Sequence, residues 1–215
     1  MQEAPDTKAR RRAETENRRE AILEAAWRFF LLQGIAGTSM MDIARSCRLA
    51  KGTLYLYFKS KDEIAFTLLV RVTRELLRTI SACVESSKPA MEQIYDVGLA
   101  YYRYFVENNE AFRFMFIVPH ESYDEKVDAS LIHEWGETGI AALKVLDGIL
   151  KRAVEEGDIV VGNTWECSIY LWSSLTGVLA IPSQEVRKPF LGNVDMERLF
   201  RIALGNMING LKKRG

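Results

Sequence analysis

The chain has little of what catalytic centres and disulfide frameworks are made from. Of its 215 residues two are histidine and three are cysteine, and Cys47, Cys83 and Cys167 stand far apart. An odd, scattered set of thiols fits a reducing compartment and not a disulfide scaffold. Neither His120 nor His133 follows a glutamate by three residues, so the Glu-x-x-His pairs of di-iron helix bundles cannot be assembled. A GxSxG elbow, a phosphate-binding loop and a Gly-rich dinucleotide fingerprint are all missing. No apolar run approaches the roughly 18 residues that a membrane helix requires, and the polar N-terminus does not read as a signal peptide. Net charge is lacking too, with 29 Lys and Arg against 29 Asp and Glu. The expectation is a soluble, cytoplasmic protein that is not an enzyme and holds no cofactor or metal.

What is present points to helices. The chain is 48% hydrophobic with only five prolines, and apolar residues recur at three and four rather than at two. The charges are also unevenly placed. Residues 1–61 hold five more cations than acids, including Lys8, Arg10, Arg11, Arg12, Arg18 and Arg19, and the remainder is correspondingly acidic. Such asymmetry is what a nucleic-acid reader joined to another module produces.

Residues 38–61, TSMMDIARSCRLAKGTLYLYFKSK, give that reader a form. Ser39 and Asp42 make a capping-box-like start, and Met40, Ile43, Ala44 and Cys47 line one apolar face of a short helix. Arg48 and Leu49 make the turn. A second short helix follows at about 51–57, with Leu54 and Phe58 pointing inward and Gly52, Thr53, Tyr55, Leu56 and Tyr57 left outside. Gly52 in a first helical turn costs about 1 kcal/mol against Ala, and close approach of backbone to a phosphate is one reason to keep it. This is a helix-turn-helix, whose second helix suits a DNA major groove about 12 Å wide.

The run Gly52-Thr53-Leu54-Tyr55, then Tyr57-Phe58, then Ser60-Lys61-Asp62, with Gly34, Thr38, Ser39, Asp42, Ile43 and Ala44 upstream, resembles the signature of the TetR family of transcriptional regulators. The resemblance covers the first quarter of the chain. It implies a three-helix DNA-binding domain, an all-helical ligand-binding and dimerisation domain, and repression relieved by a small molecule. The chain departs from the pattern at Arg48, where Gly is usual, at Ala50, where Ser or Thr is frequent, and at Leu56, where a polar or aromatic side chain is common. A left-handed turn conformation at Arg48 would cost roughly 1 kcal/mol, and Ala50 cannot cap by its side chain.

Expected roles follow from position and chemistry. Lys51 and Thr53 are candidates for base edges, and Leu56 for a thymine methyl. Thr38, Ser39, Tyr55, Tyr57 and Lys61 would hold phosphates, with Arg48 and Gly52 close by. For Tyr55 and Tyr57 packing against neighbouring helices is the competing role. The DNA-binding domain is placed at 1–61, with a basic arm at about 1–13 that would track DNA or stay a solvated tail. An effector-binding and dimerisation domain is placed at 62–215.

The expected architecture is all-α, with about nine helices: near 14–33 and ending at Gly34, the two of the helix-turn-helix, 61–83, 89–107, a short one to about 118, 125–156 with a kink near Gly136 and Gly139, 165–181 and 195–213. Residues 182–194 read as an irregular connection, and 159–161 as too short for a strand. Helix 61–83 links the two domains if it belongs partly to each. In the last two helices Ile169, Leu175, Thr176, Leu199, Ala203 and Met207 are candidates for a homodimer interface, which would demand a near-palindromic operator. Aromatic residues crowd 95–135. Of these Tyr101, Tyr102, Phe105, Phe112, Phe116 and Trp135, joined by Trp172, are candidate walls of a pocket for an apolar or aromatic effector. The competing function is a helical carrier of lipophilic molecules with no hold on DNA.

Overall fold

The structure, a computed structural model, describes residues 7–117 and 127–213. Among them it is all-α: ten α-helices, one 3-10 turn and a single isolated β-bridge. None of these helices is long and apolar enough to cross a membrane. In order they are α1 (Thr7–Gly37), α2 (Met40–Ser46), α3 (Lys51–Tyr55), α4 (Lys61–Ser81), α5 (Ala90–Glu107), α6 (Asn109–Ile117), α7 (Ala129–Glu155), α8 (Thr164–Ala180), α9 (Lys188–Leu191) and α10 (Met196–Leu211). The chain divides into two compact units, one of residues up to Arg71 with Phe114–Trp135, the other Val72–Arg113 with Gly136–Gly215. This division differs from a boundary at 61/62, because contacts group the first half of α4 and a later segment with the N-terminal helices.

In the first unit the apolar stripe of α1, with Ile22, Ala26 and Phe30 fully buried, meets Ile43 of α2, Leu54 of α3, Phe58, and Ile64 and Leu69 of α4. Phe114 completes this core, 4.8 Å from the Trp27 ring and 6.2 Å from Phe30 between centroids. Burying so many aromatic and branched side chains in about 90 residues gives the small unit its stability, at roughly 1.5–3 kcal/mol for each large side chain removed from water.

The second unit packs α10 against α5 and α8. At Gly98 a Cβ would lie 2.7 Å from Leu204 Cδ1, so α5 and α10 approach as closely as they do only because that side chain is absent. Tyr101, Phe105 and Phe112 form a trio of edge-to-face rings, with centroids 5.8 Å apart for Tyr101 and Phe112 and 5.0 Å for Phe105 and Phe112. The Tyr101 and Thr176 hydroxyls share a hydrogen bond of 2.7 Å. Burial pushes the Tyr101 phenol up to about 12, against the opposing effect of hydrogen bonds with Thr176 and Trp172. Asp147 of α7 accepts from Thr164 Oγ1 at 2.7 Å and pairs with Lys151 at 2.7 Å, pinning the start of α8 to α7.

Several expectations change. Helix α1 starts by Thr7, not near residue 14, so the described part of the basic arm is helical. Helix α7 continues through Gly136 and Gly139 as one element. The connection 182–194 contains a 3-10 turn at Glu185–Arg187 and the four-residue α9. Ile159 pairs with Lys212 in an isolated bridge that ties the α7–α8 connection to the end of α10.

The candidate interface residues Leu175 and Thr176 face inward, 6% and 8% exposed, because α8 uses that side against Tyr101. Leu199, Ala203 and Met207 are half-buried, and Ile169 is exposed. The candidate effector residues also separate. Trp135 is half-buried against the core of the first unit, edge-on to Phe66. Tyr102 lies against Phe200 with ring centroids 5.0 Å apart, and Trp172 is exposed. Tyr101, Phe105 and Phe112 fill one another's faces as core. The Phe116 side chain and the loop 119–124 lie outside the described residues.

Candidate nucleic-acid interface

The reading motif is built from caps and one unusual turn. Ser39, in extended backbone, accepts from the Asp42 amide at 3.2 Å while Asp42 accepts from the Ser39 amide at 3.1 Å, a reciprocal capping box. The Ser39 hydroxyl, which donates to the Asp42 carboxylate at 2.5 Å, and then the Ser39 amide hold the Asp42 carboxyl below its ordinary value. At the other end of α2 the Leu49 amide donates to Ala44 O and the Arg48 amide to Arg45 O, with Arg48 at φ 56°. This is a Schellman turn with arginine where glycine is free of strain. Ala50 begins α3 without a side-chain cap, as its methyl requires.

The turn presents α3 with one side buried through Leu54 and the other open. Lys51, Gly52, Tyr55 and Leu56 are exposed, Leu56 to 84%, and Thr53 and Tyr57 are half-buried. The Lys51 ammonium lies 5.9 Å from the Tyr55 ring centroid, near enough for a weak cation–π attraction that leans it along the helix. A Cβ built on Gly52 meets nothing within 4 Å, so no neighbour in this chain demands glycine there. Ser39, at the start of α2, and Arg48, in the turn before α3, are exposed as well. Lys51, Thr53, Tyr55, Leu56, Tyr57, Gly52, Ser39 and Arg48 therefore offer hydroxyls, cations and an apolar tip to solvent along one short motif.

Two expected contact residues do not reach that face. Thr38 is 2% exposed, and its hydroxyl donates to Gly34 O at 2.8 Å. Lys61 directs its ammonium to the carbonyls of Ile35, Thr38 and Ala36, at 2.8, 3.1 and 3.3 Å. The physical cause is the same for both. Gly34, at φ 73° and ψ 169°, breaks α1 and strands carbonyl groups that need donors. Thr38 and Lys61 thus fix the entry to α2, their polar atoms directed to carbonyls of this chain.

The roles of three other residues, Ser60, Glu63 and Arg19, escaped sequence reasoning. Ser60 accepts from the Glu63 amide at 3.1 Å and Glu63 from the Lys59 amide at 2.6 Å, starting α4 directly after the motif. The Ser-x-x-Glu spacing was the available signal. Arg19 places its guanidinium 4.3 Å over the Phe58 ring and 3.5 Å from Tyr57 O, bracing the end of the α3 segment from α1. Its position three residues before Ile22, on the core line of α1, was the clue. Cys47, at the end of α2 within the motif, is half-buried, with its Sγ 3.5 Å from Ala21 O. Burial pushes its thiol up, outweighing the lowering effect of Arg28, which does not suit a reactive thiolate.

Residues 22–68 match the model of the bacterial regulatory proteins of the tetR family. An uncharacterised HTH-type transcriptional regulator of Haemophilus influenzae is 32% identical over 90 residues, 42% of this chain and 48% of that protein. The chain thus spans about half the length of this curated relative. Two solved structures share the fold. SmeT, the repressor of a Stenotrophomonas maltophilia multidrug efflux pump, superposes with a TM-score of 0.68 at 22% identity, covering 92% of this chain and 91% of that one. FadR of Bacillus subtilis, in complex with stearoyl-CoA, gives 0.71 at 19% identity, covering 89% and 98%. The match to the bacterial regulatory proteins of the tetR family thus lies in the N-terminal helices, from α1 to α4.

Proposed function

We propose that this protein is a sequence-specific DNA-binding regulator that acts as a homodimer and is released from a near-palindromic operator by a small apolar effector. The carrying observation is the uncovered side of α3. Lys51, Tyr55 and Leu56 stand free of the core on a helix held by a capping box and a Schellman turn, with no side chain at Gly52 to keep a ligand's backbone at a distance. Lys51 and Thr53 would meet base edges and Leu56 a thymine methyl, while Ser39, Arg48, Tyr55 and Tyr57 position the helix on phosphates.

Dimerisation is supported by apolar exposure on two adjoining helices. Ile169, Tyr170 and Trp172 of α8 and Ile202 of α10 are between 38% and 54% exposed, more large apolar surface than a monomer normally leaves on one helix pair. A second copy of the chain is the occupant that also supplies a second reading helix, spaced about 34–36 Å from the first on a two-fold operator.

The effector reading moves from the aromatic trio to α7. Residues 136–146 include Ile140, Ala141, Ala142, Leu143, Val145 and Leu146, yet none is buried, whereas Asp147, Ile149 and Leu150 immediately after them are. A helix stretch that is apolar around its circumference but left partly open suits a site for a lipophilic molecule. SmeT has been solved with triclosan and FadR with stearoyl-CoA, which makes a phenolic biocide and a long-chain acyl thioester the first probes to use. Such a molecule releases DNA only if it favours the conformation that cannot dock.

Selection of bound fragments from random duplex DNA tests the reading. The expected product is a two-fold symmetric site, bound with a log-log salt slope near −7 for about eight phosphate contacts. Recovery of no enriched sequence, with no oligonucleotide binding at low salt, would leave a lipophilic carrier as the better account.

A further inference from the structure

The first turns of α1 are built against the usual interests of a helix. Residues 8–18 are exposed on every side, so no packing supports them. The first turn holds Lys8 and Arg10 and no acid, opposite to what the helix dipole favours. A stretch with these properties needs another reason for its composition.

The arrangement of its charges supplies one. At about 100° per residue, the line of α1 that carries Ile22, Ala26 and Phe30 into the core runs back through Arg19, Arg18, Thr15, Arg12, Arg11 and Lys8. Apart from Glu16, which lies about as far to one side of the core line as Arg18 does to the other, every ionic residue on that stripe is a cation. Glu14 and Glu20 lie off it and Glu16 at its edge, while Arg10, on the far side, is paired with Glu14 at 3.2 Å. Among the described residues Arg11, Arg12 and Arg18 have no acidic partner.

A second observation gives the stripe its direction. Arg19, at its inner end, sits over Phe58 and beside Tyr57 O, immediately past α3. The cationic face therefore begins next to the reading segment and extends outward by about 16 Å, the rise of eleven helical residues. Along a duplex that length passes about five phosphates of one strand.

We propose that the face of α1 from Lys8 to Arg19 is a second DNA contact, running along the phosphates that flank the base pairs met by α3. It rests on the DNA-binding reading above and adds to it a site outside the helix-turn-helix. The contact carries no base information. It lengthens the footprint and steepens the salt dependence, and pairing its arginines with phosphates relieves their mutual repulsion in the free protein.

The test compares the wild-type chain, a triple variant Arg11→Gln, Arg12→Gln and Arg18→Gln, and a control Arg10→Gln. Glutamine keeps helix propensity, and circular dichroism confirms that each variant is folded. The probes are the duplex recovered by selection, trimmed to the selected site, and the same site with ten base pairs added at each end. The expected result is that the wild type prefers the longer duplex and that the triple variant loses this preference. Its log-log salt slope becomes shallower by about 3 per bound protomer, one for each arginine. Arg10→Gln retains both properties. An unchanged slope and preference in the triple variant, or an equal loss in Arg10→Gln, overturns the second contact while leaving α3 as reader. Failure of the wild type to bind either duplex overturns both.

Discussion

Arg48 holds a φ of 56°, where an L side chain crowds the following carbonyl and only the two Schellman hydrogen bonds keep the turn closed. Replacing it by glycine should raise stability by about 0.5–1 kcal/mol, the strain relieved less the extra chain entropy of glycine, and a thermal melt would show it. Duplex affinity should fall in the same variant, since a cation leaves the flank of α3. Lys61 makes the opposite case. Its ammonium neutralises three carbonyls at the break in α1, so Lys61→Ala should cost about 2 kcal/mol of stability by denaturant titration. The salt slope of DNA binding should stay as it was. A slope shallower by one would return Lys61 to the phosphates. That the turn at Arg48 is left-handed is shown by its φ; that such a turn would carry strain there was legible from the resemblance, which has Gly at that place. That Thr38 and Lys61 turn inward was not, because their acceptors are freed only by the geometry of Gly34.

Elements were legible where periodicity and caps agreed. The Asn163 and Asp195 side chains cap α8 and α10, accepting from the second and third amides in the one and from Arg198 N in the other. Gly157 leaves α7 at φ 81°, as a terminating glycine should. The beginning of α1 was not legible, since residues 8–18 have no apolar periodicity and are marked only by a stripe of charge. Asp147 shows how two elements are joined by a polar contact that sequence does not disclose. Burial acts to raise its carboxyl, but the Lys151 and Thr164 hydrogen bonds and the Lys151 charge outweigh it and hold the group low. Its contribution to stability is therefore complete above the ordinary aspartate value of about 4 and is lost as pH falls through the lower folded value. Asp147→Asn should lower the melting temperature at neutral pH and lose less stability than the wild type on acidification from about pH 5 to 2. Parallel acid profiles for the two proteins would remove Asp147 from the acid response.

At the scale of the molecule, a net charge of zero conceals a basic N-terminal quarter and an acidic remainder. The same separation shows in apolar surface, with Ile169, Tyr170, Trp172 and Ile202 left open on α8 and α10. If a second copy covers them, Ile202→Glu should shift the sedimenting species from dimer to monomer and lower operator affinity together, without changing the melting of the monomer. A variant that remains dimeric would place the interface elsewhere.

Sequence alone determined the helical class and the helix-turn-helix, because these follow from local spacing, capping and backbone preference, while its departures at Arg48 and Ala50 were marked by the resemblance. Only tertiary structure decided which polar side chains stay outside. Thr38, Lys61 and Thr176 were drawn inward by partners distant in the chain or created by a break in it, and Trp135 by the ring of Phe66. A buried hydroxyl or ammonium must find such a partner, and which one is within reach depends on how the helices meet.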